Sequence, residues 1–154
     1  MILGKKRRIG RKIEDISVGE KLKLTEKVED KDLLLYLGLT NDSNPLYIQH
    51  DYASQTDYGR PIVPAIMLTG IITSAVSKYL PGPGSHIIAQ QLAFPKAVDH
   101  YSTIDFLLEV VRVKKDENII DISIQARNEE EDIVISGLVT VTPPKVEEQL
   151  TSQT

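Results

Sequence analysis

Two rhythms of hydrophobic and polar residues run along this chain. In the second half the period is two. Ile120, Ile122, Ile124 and Ala126 alternate with Asp121, Ser123 and Gln125, which is the pattern of an antiparallel strand with one buried face. Residues 86–94, 103–114, 118–127 and 132–142 each carry such alternation or a β-branched run, and predict four consecutive strands. Asp116-Glu117-Asn118 and Glu129-Glu130-Glu131-Asp132 fall between them as short hairpin turns, the second a solvated acidic run. A fifth strand is predicted earlier, over residues 20–28, from Leu22, Leu24 and Val28, after a lead-in loop that turns at Gly19.

The first half carries helical signals. Glu29, Asp30 and Asp32 precede an apolar run from Leu33 to Leu39. Carboxylates there offset the exposed N–H groups and positive dipole end of a helix. Gly38 is expected to close that helix. A second helix is predicted from Pro64 to Tyr79 and stopped by Pro81-Gly82-Pro83-Gly84. Its apolar residues (Ala65, Ile66, Met67, Leu68, Ile71, Ile72, Ala75, Val76) cover most of its circumference, so burial on nearly all sides is expected. Between the helices lie a polar turn, Asn41 to Pro45, and a segment expected to be irregular, residues 46–60. Side chains of Asn41, Asp42, Ser43 and Asn44 can bond their own backbone, so Asp42 has an Asx-turn reading beside any chemical one.

These elements make an α+β arrangement, with an antiparallel sheet curved around one long helix. The sheet is small for the task, and a second subunit is expected to add cover. At 154 residues the chain is long enough for one core. We divide it into a basic tail over 1–12, a single domain over 13–144, and a C-terminal tail over 145–154 that is expected to be disordered.

Composition narrows the function classes. The formal net charge of −4 gives no field that gathers nucleic acid. The basic tail (Lys5, Lys6, Arg7, Arg8, Arg11, Lys12) has no interleaved aromatics and reads as solvated. Without cysteine there is no disulfide, thiolate nucleophile or thiolate metal site. His50, His86 and His100 are scattered without metal-ligand spacing, so no metal is expected, and no cofactor motif is present. His86 and His100 are expected at the surface. No apolar run approaches the roughly 20 residues of a membrane span, and a cytoplasmic protein is expected.

One stretch resembles a known family. Thr40-Asn41-Asp42-Ser43-Asn44-Pro45-Leu46-Tyr47, then Arg60-Pro61-Ile62-Val63-Pro64-Ala65-Ile66, resembles the signature of the MaoC-like, (R)-specific enoyl-CoA hydratases. Gln90-Gln91-Leu92-Ala93-Phe94 falls where that family has a further strand motif. The resemblance implies a hot-dog fold and an acyl-CoA or acyl carrier protein thioester as ligand. It also implies a homodimer, or a heterodimer with another hot-dog subunit, and the addition or removal of water at an enoyl thioester. An aspartate and a histidine hold and deprotonate that water, and a backbone N–H at the helix start binds the thioester oxygen. By position, Asp42 is the aspartate, Asn44 the turn residue that orients it, and Ala65 with Ile66 the oxyanion-side positions.

The departures define the question. Tyr47 stands at the histidine position, and a phenol with a pKa of about 10 is a poor base at neutral pH. Pro64-Ala65 replaces the family's His-Gly pair, and the P-V-x-x-G-D turn reads Ala97-Val98-Asp99-His100-Tyr101-Ser102. The resemblance therefore implies a hydratase-type protein with an incomplete dyad and impaired or absent activity. The alternative is an active hydratase that uses Asp42 with Tyr47, or with His50 as a substitute base.

Overall fold

The structure, a computed structural model, describes residues 8–145. It has the expected α+β arrangement. Five antiparallel strands, β1 (Lys21–Lys27), β2 (His86–Ala93), β3 (Thr103–Lys114), β4 (Ile119–Arg127) and β5 (Ile133–Thr142), form one sheet in the order β1-β3-β4-β5-β2. Among the described residues a short 3-10 turn (Ile13–Asp15) and four α-helices accompany it: α1 (Asp30–Thr40), the single turns α2 (Pro45–Ile48) and α3 (His50–Ala53), and α4 (Ala65–Lys78). Among the described residues, no helix is long and apolar enough to cross a membrane.

The period-two pattern translates directly into one buried face. Ile104, Phe106, Leu108 and Val110 of β3 lie beside Ile120, Ile122, Ile124 and Ala126 of β4, with Leu108 opposite Ile124 and Val110 opposite Ile122. Val139 and Val141 of β5 extend that surface, and Leu68, Ile72, Ala75 and Val76 of α4 join the same core. Where β2 meets β5, Leu92 pairs with Gly137, and a Cβ there would lie 2.1 Å from the Gln91 carbonyl oxygen. Only glycine lets these two backbones approach so closely.

Several expectations need correction. α4 is not buried on nearly all sides. It presses one face on the sheet and leaves Ile66, Gly70, Thr73 and Ser77 exposed, because a single five-stranded sheet covers only half a helix. α1 runs through Gly38, and Asn41, at φ 56, turns the chain out of it. Asparagine tolerates that left-handed geometry, so the glycine is not needed as a stop. Its start is as expected, and Glu29 and Asp32 form a reciprocal capping box. The segment 46–60, expected to be irregular, contains α2 and α3.

Residues 1–7 of the expected basic tail lie outside the described residues, as do residues 146–154 of the C-terminal one. Gly10 and Arg11 belong to the folded body. Their N–H groups donate to the carbonyls of Pro83 (2.6 Å) and Pro81 (3.0 Å), strapping the Pro-Gly loop that follows α4.

The two sheet edges differ. β1 carries Lys21, Lys23, Glu26 and Lys27, whereas β2, His-Ile-Ile-Ala-Gln-Gln-Leu-Ala, has mostly exposed residues and no formal charge apart from a titratable histidine.

The half-covered helix makes a direct prediction. Ile72→Ala, on the sheet-facing side, should cost about 2–5 kcal/mol in urea unfolding. Ser77→Ala, on the exposed side, should change stability by less than about 0.5 kcal/mol.

Candidate functional site

The polar turn after α1 is built from two Asx turns in series. The Asn44 N–H donates to Asp42 Oδ1 (3.0 Å), and the Leu46 N–H donates to Asn44 Oδ1 (3.0 Å). The second bond caps α2, where Pro45 occupies the first turn. The other carboxylate oxygen of Asp42 is also engaged. Tyr36, on α1, donates its phenol O–H to Asp42 Oδ2 at 2.5 Å. Both oxygens of the expected catalytic carboxylate thus hold protein donors.

These bonds set the electrostatics. The Tyr36 phenol, then the Asn44 N–H, favour the charged carboxylate and lower the Asp42 pKa. The same Asp42 bond is the main cause that raises the pKa of Tyr36. Because the Asp42 pKa is depressed in the fold, its stabilising contribution is present above the ordinary carboxylate value and is lost as pH falls through the lowered one. For Tyr36 the sign is opposite: its contribution is present below the ordinary phenol pKa and is lost as pH rises through the raised value. A lowered pKa also makes Asp42 a weaker base.

Tyr47, in α2, lies near enough to Tyr36 to be a lesser cause of that phenol's raised pKa. It lines a cavity of about 660 Å³ together with His50, Arg60, His100, Tyr101 and leucines of α1. Neither Asp42 nor Ala65 lines this cavity. The Ile62 N–H donates to the Leu46 carbonyl (3.2 Å), and the Val63 N–H to Val98 (2.7 Å), which ties α2 and the turn before β3 to the approach of α4. Arg60 Nε lies 3.1 Å from Asp99 Oδ2, so its charge is already paired.

α4 begins at Ala65 behind Pro64, with no side-chain cap. Its first N–H groups have no partner within the helix, so the backbone retains donors at this end. Ile66 is 55% exposed. Of the expected site residues, Tyr47 and His50 line this cavity, Asp42 and Asn44 build the turn beside it, and Ala65 and Ile66 open α4.

Sequence reasoning missed three features. Tyr36 stands in the apolar run of α1, where a single phenol among leucines is the available signal. His100 was expected at the surface, but both its ring nitrogens are enclosed and neither has a hydrogen-bond partner. Tyr101 occupies the glycine position of the family turn in the left-handed region, φ 68. Its N–H donates to Val28 (2.7 Å), and its phenol donates to the Asp30 carboxylate on α1. Among the described residues, no group of three or more His, Cys, Asp or Glu side chains is placed to hold a metal ion.

Comparison with known proteins adds the family context. A family model described as MaoC like domain matches residues 14–132. An (R)-specific enoyl-CoA hydratase from Rhodospirillum rubrum is 33% identical over 85 residues, which cover 55% of this chain and 59% of that protein. The solved R-hydratase PhaJ1 from Pseudomonas aeruginosa, in its unliganded form, is similar with a TM-score of 0.82 and 25% identity, covering 91% of this chain and 89% of that one. The ChsH1-ChsH2 complex from Mycobacterium tuberculosis is similar in fold, with a TM-score of 0.73 and 20% identity, covering 82% of this chain and 98% of that one.

Removing the phenol should release Asp42. In Tyr36→Phe the Asp42 pKa should rise toward its ordinary value, as read by carbon NMR of the carboxyl group against pH. The acid limb of the stability curve should flatten accordingly.

Proposed function

We propose, from the premise that this chain belongs to the MaoC-like domain family, that it binds an acyl-CoA or acyl carrier protein thioester at a site whose hydratase dyad is disabled. Hydration and dehydration are then weak or absent. The observation that carries this reading is the state of Asp42. Its two carboxylate oxygens accept from Tyr36 and Asn44, and the side chain at the histidine position is a phenol. A water held between Asp42 and Tyr47 would meet a carboxylate of lowered basicity and a group that does not deprotonate water at neutral pH.

The chain acts in this reading as one subunit of a hot-dog homodimer or heterodimer. The exposed face of α4 and the unpaired edge of β2 support a second subunit, and the ChsH1-ChsH2 complex is a two-protein assembly of similar fold. A cysteine-free chain is in keeping with the reducing cytoplasm.

The second reading, an active (R)-specific hydratase or dehydratase of fatty-acid metabolism, has one observation in its favour. Tyr47 and His50 line the same cavity, so an imidazole and a phenol share it.

Hydration of trans-2-hexenoyl-CoA separates the two. The wild-type protein should show little or no turnover. Tyr47→His should raise it by roughly 100-fold, the lower range for a positioned general base, and Asp42→Asn should abolish the gain. Vigorous wild-type turnover that vanishes in Asp42→Asn would replace the first reading with the second.

A further inference from the structure

Two neighbouring residues in the turn before β3 are held in states that packing alone does not favour. His100 is half-buried, and both its ring nitrogens are enclosed by protein without a hydrogen-bond partner. An enclosed polar group without a bond has lost its water contacts and gained nothing in return. Tyr101 places a bulky side chain in the left-handed region at φ 68, where only small polar residues and glycine sit comfortably. Such departures from local preference point to function when they cluster. Here they are consecutive, and both residues line the cavity that Tyr47 and His50 share.

Apart from the half-buried Tyr47 phenol, the other polar groups of that cavity are engaged or exposed. Arg60 is paired with Asp99, Tyr101 donates to Asp30, and His50 is exposed to solvent. His100 has hydrogen-bonding capacity that no protein group uses.

We propose that His100 binds the ligand of this cavity, donating an imidazole N–H to the carbonyl oxygen of the acyl thioester. The proposal rests on the reading that the chain binds an acyl thioester, and assigns to a side chain the polar contact that the start of α4 was expected to make. A donor in water must exchange one bond for another when it meets a ligand, so little is gained. An enclosed donor without a protein partner breaks no protein hydrogen bond to make a new one, so more of that bond contributes to binding. Because both ring nitrogens are enclosed, the bond requires the imidazole to turn toward the cavity.

The test uses the full chain and hexanoyl-CoA, a saturated thioester that cannot be hydrated. Calorimetry gives affinity, nitrogen-15 NMR of labelled histidines follows each imidazole, and thermal unfolding gives stability. On saturation the His100 nitrogens should shift while those of His86, on the edge strand β2, stay in place. His100→Leu should weaken binding at least tenfold without lowering the melting temperature, because it removes an unpartnered polar group. His100→Gln, which keeps a donor, should recover part of the affinity, and His86→Gln should bind as wild type.

A His100→Leu protein with lowered melting temperature and unchanged affinity would overturn the proposal and make His100 a structural residue. Tight binding by the wild type with an unmoved His100 would overturn it while leaving the thioester reading intact. Failure of the wild type to bind hexanoyl-CoA would overturn both.

Discussion

The structure depends on one face of one helix. Leu68, Ile72, Ala75 and Val76 of α4 lie in a single core with the inward residues of β3, β4 and β5. That contact fixes where α4 starts. Its start, in turn, anchors the chain leading to it, through Val63 bonded to Val98 and Ile62 bonded to Leu46. The polar turn and the turn before β3 are thus held by the same frame, although neither is part of the core. Shape at the site is inherited from apolar packing some distance away.

Within that frame the chemistry is decided by where hydrogen bonds are spent. A carboxylate is a useful base when its lone pairs face a substrate water. In this chain Asp42 supports its own turn and receives a phenol from α1. The imidazole of His100, by contrast, carries unused capacity in a place that a stability argument would fill with an apolar side chain. The scaffold of a MaoC-like domain is intact, while the polar investments around it have been redistributed.

The sheet was legible because its signal is local. Alternation at period two places Ile120, Ile122 and Ile124 on one face whatever the rest of the chain does, and the strands lie within about two residues of their expected bounds. α4 was legible in extent and misjudged in burial. Counting apolar residues around a helix does not distinguish a face that is covered from one that is left open. At α1, Gly38 looked like the stop, yet Asn41 could make the same turn and did so three residues later. The Asp42 and Tyr47 positions could be read from the family pattern, but the bond from Tyr36 to Asp42 could not. It requires the helix to end and the chain to reverse in a particular way. His100 sits among polar and charged neighbours in sequence and reads as surface. Its enclosure comes from long-range packing that no local window contains.

The contrast between the two sheet edges has a consequence for how the chain lives in a cell. β1 is guarded by lysines, which discourage stray strands from adding to it. β2 offers open backbone groups with neither proline nor a formal charge to repel an intruder. Until something pairs with that edge, each newly made chain presents a template for indiscriminate association. In a homodimer the second copy would close that edge as it is made, whereas a heterodimer would need its other chain at hand.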